Sequence, residues 1–300
     1  MLQSRLHRYI AAVARHGSIR KASEAISVAP SAINRQILEF ERSLGFSLFD
    51  RLPNGLRPTS AGEVVLEYIR RSDAEYNLLL SRLGDLTGLE SGRIRVVTSP
   101  GLVTAFLPRV TAPFCQRHKR VDFGIDVLDM NEIVDAVAAG EADIGLGFDI
   151  ARDPRITTLV SVNQRLGFVT RPDHPLAGHD QVRLSDCIDQ PLVLPHPQTG
   201  IRLLLDVAFA ESRIEPKVIM VSNSVDIRKQ MVKAGTALTV LAPVDVMGEI
   251  DDGSLIFLPI IDTALPGQTL KLITRARGVL EPLQARFVED LRQAFAALSS

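Results

Sequence analysis

The chain has 300 residues, 46% of them hydrophobic and 23% charged, a balance typical of a globular protein with enough apolar material for two or three domains. No stretch reaches about 18 unbroken apolar residues, which argues against a helical membrane protein. The N-terminal apolar stripe is interrupted by arginines and has no small-residue cleavage site. We therefore expect a cytoplasmic protein that has no contact with a membrane.

The net charge of -1 conceals an uneven distribution. Residues 1–62 hold nine lysines and arginines against four acidic residues, a net charge of +5 that leaves -6 for the remainder. A basic first domain followed by an acidic body favours contact between the first domain and a polyanion. A charged, solvated surface produces the same imbalance and stays as the alternative.

The two cysteines, Cys115 and Cys187, lie far apart and form neither a CxxC motif nor a metal-ligand pattern. This usage favours reduced, structural thiols, with a redox switch as the alternative. We expect no metal site and no cofactor.

Three helices are predicted in the first 45 residues. Residues 2–15 carry apolar side chains at helical spacing, and Gly17 ends the run. Ser18 is placed to cap a second helix over residues 19–26. Pro30 suits the first turn of a third helix, which ends near Gly45.

The third helix has two unlike faces. Its apolar face comprises Ile33, Ile37, Phe40 and Leu44, and its polar face comprises Ser31, Asn34, Arg35 and Arg42. Hydroxyl, amide and guanidinium groups at the N-terminal end of an exposed helix suit the base edges and phosphates of a DNA major groove. A plain amphipathic helix with a solvated face is the alternative.

A short hairpin is predicted directly after this helix. The dipeptide Asn54-Gly55 is a strong hairpin signal, so we expect strands over residues 48–52 and 56–58. Arg51 and Arg57 flank the turn. A basic hairpin after a recognition helix is a wing that can contact the DNA backbone or minor groove.

The run "GSIRKASEAISVAPSAINRQILEFERSLGFSLFDRLPNGLRPTSAGE" resembles the DNA-binding domain of LysR-type transcriptional regulators over about the first 65 residues, above all in "LGFSLFDR" and "PTSAG". The resemblance implies a winged helix-turn-helix. In that family the positions matching Pro30, Ser31, Asn34 and Arg35 lie along the groove. The expected DNA-binding set is Arg20, Lys21, Pro30, Ser31, Asn34, Arg35, Arg51 and Arg57. The helix entry Ala29-Pro30-Ser31 and Asn34 depart from the usual pattern, so base preference is not carried over.

A long linker helix is expected to follow. Ser60 and Glu63 form a possible capping box, and residues 65, 69, 72, 76, 79, 83 and 86 follow coiled-coil spacing. Packing on the same chain is one use for such a seam. Pairing with a second copy is the other, and it would present two recognition helices to a pseudo-palindromic site. The resemblance implies the same homodimer, often a homotetramer.

The body alternates predicted strands and helices, which indicates a mostly parallel α/β fold. Pieces such as "VAAGEADIGL" and "VKAGTALTVLAP" resemble the family's effector-binding domain, which has a two-lobed, periplasmic-binding-protein-like α/β fold. We expect a winged helix-turn-helix domain over 1–59, a linker helix and hinge over 60–90, and an effector domain over 91–300. Its first lobe would span about 91–160 and 268–300, and its second about 161–267.

A ligand is expected where strand ends feed helix N-termini, because unpaired N–H groups and a partial positive charge collect there. Each candidate residue is equally explicable as an ordinary cap, loop or core residue. The candidates are Ser99, Pro100, Met130, Phe148, Pro195, His196, Pro197, Thr199 and Asn223. The donor-rich helix starts favour a small polar or anionic metabolite.

The expected function is transcriptional regulation: the chain binds double-stranded DNA, responds to a metabolite, and meets RNA polymerase as a further partner. An enzyme is disfavoured because GxSxG, HExxH, Walker and GxGxxG motifs are missing, and no catalytic residue is predicted. A solute-binding protein of a transporter would explain the body alone. The basic winged domain and the missing export signal argue against it.

Overall fold

The structure is a computed structural model that describes residues 4–52, 55–69, 72, 76, 79, 92–276 and 278–298. It divides into two compact units, Met1–Leu89 and Glu90–Ser300. Residues 80–91, where the sequence places the hinge, lie outside the described residues, and so do Leu83 and Leu86 of the predicted seam.

The N-terminal unit contains α1 (Arg5–His16), α2 (Ile19–Ile26), α3 (Pro30–Leu44), β1 (Phe49–Leu52), β2 (Gly55–Pro58) and a fourth helix, α4, described over residues 60–69. Gly17 ends α1 in the left-handed conformation, and Pro30 is the first residue of α3, as the sequence predicts. Ile10, Val13, Ile33 and Ile37 form the centre of the core.

Three details of this unit differ from the sequence prediction. Ser18 precedes α2, but its side chain makes no capping hydrogen bond. Thr59, not Ser60, caps α4, because its Oγ1 accepts from the backbone N–H of Gly62 at 3.0 Å. Leu44 is 40% exposed and outside the core. Helical periodicity predicts which way the Leu44 side chain points. It does not predict whether a neighbouring helix is long enough to cover that side chain.

The wing is an antiparallel pair in which Leu52 faces Gly55. The second strand therefore begins one residue earlier than predicted, and Asn54 lies outside the described residues. The backbone N–H of Leu56 donates to the carbonyl of Gly17 at 2.7 Å, which ties the wing to the end of α1. A Cβ at Gly55 would lie 2.4 Å from that same carbonyl oxygen, so this close approach requires glycine.

The C-terminal unit has two lobes. The first contains a five-stranded sheet of order β4-β3-β5-β12-β6, made by β3 (Gly92–Thr98), β4 (Val121–Val127), β5 (Ile144–Phe148), β6 (Ile156–Gln164) and β12 (Gln268–Arg275). Its helices are α5 (Phe106–Arg117), α6 (Met130–Ala138) and α10 (Pro282–Ala297), and a short 3-10 turn, Pro100–Leu102, precedes α5.

The second lobe is built from β7 (Gly167–Thr170), β8 (Pro191–Leu194), β9 (Lys217–Val221), β10 (Thr239–Leu241) and β11 (Ile256–Pro259). β7 pairs with β10 and β11, β8 pairs with β9, and a bridge between Leu192 and Leu238 joins the two groups. The helices are α7 (Gly200–Glu211), α8 (Val225–Lys233) and α9 (Pro243–Asp251). The 3-10 turns Pro175–Gly178 and Leu184–Cys187 lie between β7 and β8.

The sheets are less parallel than expected. β3 runs parallel to β4 and β5, but β12 is antiparallel to both β5 and β6, and β7 is antiparallel to both of its partners. The reason is topological: β6 leaves the first lobe and β12 returns to it, so these two strands pair in opposite directions. Strand β6 (Ile156–Gln164) belongs to the first-lobe sheet, so the first lobe continues a few residues past the predicted end near residue 160.

Candidate functional site

The exposed face of α3 carries the groove residues proposed from the sequence. Pro30, Ser31 and Arg35 are exposed, Asn34 is half-buried, and Ile33 on the opposite side is fully buried. The helix is therefore anchored by its apolar side and leaves hydroxyl, amide and guanidinium groups in the solvent. That arrangement can hydrogen-bond both base edges and phosphates.

The other predicted basic residues are also exposed. Arg20 pairs with Glu24 on the next turn of α2, at 3.4 Å. The side chains of Lys21, Arg35, Arg51 and Arg57 have no hydrogen-bond or ion-pair partner among the described residues. Exposed cations without an internal partner are what phosphate binding requires, since their charge is not already neutralised.

A cavity of about 580 Å³ lies between the two lobes of the C-terminal unit. Ser99, Pro100, Met130, Phe148, Pro195, His196, Thr199 and Asn223 line it. Pro197, the ninth candidate, does not belong to the lining. The structure thus brings together eight residues that are spread over 125 positions of sequence, from both lobes.

The helix starts at the cavity differ from one another. Ser99 precedes only the 3-10 turn Pro100–Leu102, so the expected helix N-terminus is missing there. Ser224 does cap a full helix, because its Oγ accepts from the backbone N–H of Ile227 at 3.3 Å. Asn223, directly before this cap, faces the cavity. In the first lobe the helix that begins at the cavity is α6, where the N-cap Asp129 and the first residue Met130 both line the cavity.

Two buried charges at the cavity, Arg228 on α8 and Asp245 on α9, were missed by the sequence analysis. Arg228 Nη1 donates to the carbonyl of Val240 at 3.2 Å, and Asp245 Oδ2 accepts from the backbone N–H of Ala242 at 3.2 Å. Arg228 Nε, Asp245 Oδ1 and Ser99 Oγ are buried without a hydrogen-bond partner.

Burial dominates the titration of both groups. It raises the pKa of Asp245 to about 6 against the opposing effects of the Ala242 hydrogen bond and the charges of Arg228 and Lys229. It lowers the pKa of Arg228 to about 10, although the charge of Asp245 acts the other way. Both side chains therefore remain charged at neutral pH inside the protein, a state that costs free energy unless a partner compensates it.

Contacts between the lobes surround this end of the cavity. Lys229 Nζ reaches Thr104 Oγ1 of the first lobe at 3.1 Å and pairs with Glu249 of α9 at 3.1 Å. Arg109 of α5 pairs with Asp251 of α9. A bound molecule here would touch elements that join the two lobes, so its binding can change how the lobes are held.

The cysteines are both free: Cys115 is exposed and Cys187 buried. Burial raises the pKa of the Cys187 thiol to about 12, and its S–H donates to the carbonyl of Leu184 at 2.9 Å. A thiol held protonated in this way is unreactive. Within the described residues, no group of three or more His, Cys, Asp or Glu side chains could hold a metal ion. None of the described helices is long and apolar enough to cross a membrane.

A winged helix-turn-helix with an exposed basic face, joined in one chain to a two-lobed domain with a cavity, defines a DNA-binding transcriptional regulator with an effector domain. Family comparison gives the same assignment for both parts. Residues 4–63 match the family "Bacterial regulatory helix-turn-helix protein, lysR family", and residues 87–296 match "LysR substrate binding domain". The chain belongs to the LysR family of transcriptional regulators, which confirms the resemblance and the prediction against an enzyme.

The chain is similar along most of its length to known regulators. It is 28% identical over 282 residues to the regulator CbbR of Sinorhizobium medicae, covering 93% of this chain and 89% of that one. It is 27% identical over 253 residues to the RuBisCO operon transcriptional regulator of Allochromatium vinosum, covering 84% and 83%. These relatives are regulators of transcription.

Solved structures share the fold. Full-length CbnR complexed with its target DNA has a TM-score of 0.59 at 22% identity, covering 97% of this chain and 99% of that one. Full-length OxyR from Pseudomonas aeruginosa has a TM-score of 0.65 at 17% identity, covering 98% and 94%. The effector domain of QuiR in complex with shikimate has a TM-score of 0.54 at 20% identity, covering 68% and 97%. The predicted architecture is confirmed.

Proposed function

We propose that this regulator binds a pseudo-palindromic promoter site as a homodimer or homotetramer. We further propose that a small polar or anionic metabolite binds between the lobes and changes the affinity of the protein for that site. The observation that carries the proposal is the pairing, in one chain, of an exposed basic recognition face with a cavity that polar residues of both lobes line. A regulator of this kind works at the promoter, so we place it in the cytoplasm with RNA polymerase as a further partner.

For DNA, the proposal assigns base contacts to Ser31, Asn34 and Arg35 at the start of α3, and backbone contacts to Arg51 and Arg57 of the wing. The exposure of Ser31 and of the three arginines supports it, as does the lack of a partner for these arginines among the described residues; Asn34 is half-buried. Arg20 and Lys21 of α2 complete the phosphate-binding set, and Pro30 fixes where α3 begins.

The DNA assignment is tested with a site selected by the wild-type protein from a random-sequence DNA pool. Arg35→Ala and Asn34→Ala are each expected to weaken binding to that site by about 1–3 kcal/mol, roughly fivefold to 150-fold, and to relax base preference. Arg120→Ala removes the same charge from an exposed position of the C-terminal unit and should leave affinity unchanged. Fluorescence anisotropy measures each affinity, and unaltered binding by both α3 variants would defeat the assignment.

Pairing with a second copy is supported by exposed apolar side chains on two sheet edges. β4 is an edge strand of the first-lobe sheet, and Ile125 and Val127 are 40% and 49% exposed there. β9 is an edge strand of the second lobe and exposes Val218, Ile219 and Val221. Exposed apolar edges are unfavourable in a monomer because they present unpaired backbone groups beside apolar surface.

The oligomer is tested by sedimentation equilibrium. The wild-type protein is expected as a dimer or tetramer, and Ile125→Lys together with Ile219→Lys should weaken the assembly. Lys119→Glu, at an exposed position before β4, is the control and should not. A monomeric wild-type protein at micromolar concentration would contradict this part of the proposal.

The effector site is tested with a set of small carboxylates, amides and sugars. For each compound we measure whether it raises the midpoint temperature of thermal unfolding and whether it changes the affinity of the protein for DNA. Asn223→Ala should weaken an active compound about fivefold, the value of one neutral hydrogen bond of about 1 kcal/mol. Asn163→Ala, an exposed position of β6 that does not line the cavity, is the matched control. If no compound changes DNA affinity, the metabolite response is refuted.

A further inference from the structure

Glu41, in the last turn of α3, bonds to the backbone at the start of the wing. Its Oε1 accepts from the N–H of Leu48 at 2.6 Å and from the N–H of Phe49 at 3.3 Å. Among the described residues, no other hydrogen bond joins α3 to Leu48 or to the two wing strands. This one carboxylate therefore provides the directional contact between the recognition helix and the wing.

The position of this acid is unfavourable for the helix by itself. A negative charge in the last turn opposes the helix dipole, and Glu41 has no cationic partner within the described part of the chain. Leu48 and Phe49 are buried, and a buried N–H that loses its acceptor costs free energy. The carboxylate thus serves the backbone of the wing more than the helix that carries it.

Glu41 lies on the flank of α3 that also carries Asn34. The two residues are seven positions apart, close to two full turns, so their side chains leave the helix about 20° apart in direction and about 10 Å apart along its axis. Both side chains are half-buried. The start of the wing is therefore fixed beside a proposed base contact, and its angle determines how far the wing arginines lie from the DNA backbone.

The other hydrogen bonds of the wing do not involve α3. Thr59 Oγ1 donates to the carbonyl of Ser47 at 2.7 Å, which holds the two ends of the hairpin together, and the N–H of Leu56 donates to Gly17 after α1. Apolar packing of Leu48 and Phe49 keeps the wing on the core, but such packing is not directional. Without Glu41 the hairpin can remain folded while its angle to α3 changes.

We propose that Glu41 is a positioning residue for DNA binding. Its carboxylate holds the wing at the angle to α3 that lets Arg51 and Arg57 reach phosphates beside the groove that α3 occupies. Glu41 does not contact DNA, whose charge has the same sign. This inference rests on the proposed wing contacts and adds the residue that sets their geometry.

Two variants distinguish the length of this side chain from its charge. Glu41→Asp keeps the charge but is shorter by one methylene group, so its carboxylate cannot reach both N–H groups, whereas Glu41→Gln loses the charge but keeps an oxygen at the same place. On the selected DNA site, Glu41→Asp should bind about tenfold more weakly than the wild type, and Glu41→Gln should stay within about threefold of it. Charge alone predicts the reverse order, because removal of an acidic group favours contact with a polyanion.

The salt dependence of binding shows whether phosphate contacts are lost. Each phosphate contact adds about 0.9 to the slope of log affinity against log salt concentration, so Glu41→Asp should reduce this slope by about 1–2 although its charge is unchanged. A variant that is merely less stable keeps the slope of the wild type. Glu63→Asp makes the same shortening at an exposed position of α4 and should keep both affinity and slope.

A double-mutant cycle assigns the loss to the wing. When Arg51→Ala and Arg57→Ala have removed the proposed wing contacts, the further change Glu41→Asp should cost less than about twofold in affinity. In an Arg35→Ala background the loss of about tenfold should remain. Circular dichroism checks that each variant is folded.

Three results would overturn the positioning role: wild-type binding by Glu41→Asp, binding by Glu41→Gln as weak as that of Glu41→Asp, or a full loss that persists without the wing arginines. In each case, weaker binding by the variant with both Arg51→Ala and Arg57→Ala still supports the wing contacts. If that variant keeps the affinity and slope of the wild type, the proposed wing contacts have failed, and the positioning role fails with them.

Discussion

Asp245 makes the stability of the C-terminal unit depend on pH in a direction opposite to that of most aspartates. Its pKa is raised from 3.8 to about 6, chiefly by burial. The folded protein therefore binds this proton more tightly than the unfolded chain does. The resulting stabilisation is fully present below about pH 3.8 and is lost as the pH rises through about 6.

The size of the effect follows from the shift. A difference of about two pKa units corresponds to about 3 kcal/mol over the whole range, of which about 2 kcal/mol falls between pH 4.5 and pH 7.5. Asp245→Asn removes the titration. The unfolding free energy of the variant minus that of the wild type should thus rise by about 2 kcal/mol from pH 4.5 to pH 7.5, whatever constant offset the substitution adds.

Urea unfolding followed by circular dichroism at pH 4.5, 6.0 and 7.5 measures this difference. Asp122→Asn makes the same chemical change at an exposed strand position and is the control. A variant-minus-wild-type difference that stays constant within about 0.5 kcal/mol, or that falls with rising pH, would show that Asp245 does not titrate as a buried carboxylate.

Three further predictions follow from close contacts and burial. Gly101→Ala places a Cβ 1.8 Å from Asp245 Oδ1 and should destabilise the C-terminal unit by about 1–3 kcal/mol in urea, whereas Gly178→Ala, which has open space, should not. Gly62→Ala places a Cβ 2.1 Å from the carbonyl oxygen of Leu48, so it should disrupt the N-terminal unit and abolish DNA binding. Circular dichroism should show the loss of helix, and a folded variant that still binds DNA would contradict the close contact at Gly62. Iodoacetamide at pH 8 should modify Cys115 in the folded protein and spare Cys187, as read by mass spectrometry; modification of Cys187 first would contradict its burial.

The fold was predictable where the periodicity of apolar residues agrees with residues that mark helix boundaries. Gly17 and Pro30 mark helix boundaries that the structure keeps, because each uses a backbone preference that few other residues share. The cap of α4 was placed one residue late, since Thr59 and Ser60 offer the same hydroxyl and only the backbone decides between them. The antiparallel return of β12 was missed because strand direction depends on how the chain passes between lobes.

The candidate site was predictable on its rim but not at its charged end. Rim residues such as Ser99 and Asn223 follow strands, and strand ends converge at one edge of a sheet. Arg228 lies in the run "DIRKQMVKAG", where a buried cation cannot be told from an exposed one by spacing. Asp245 could have been found from the sequence, because it is the only charged residue in the mostly apolar run "ALTVLAPVDVM". A single acidic residue in such a run indicates a buried carboxylate.

A chemical nuclease attached beside α3 shows whether this helix enters the major groove of the selected DNA. In a Cys115→Ser background, Ala29→Cys carries an iron chelate at the exposed position before α3, and the protein is bound to its selected DNA site. We expect two clusters of major-groove cleavage, separated by about one helical turn of 10 base pairs or a multiple of it. Cleavage spread evenly along the fragment, or restricted to DNA outside the selected site, would contradict it.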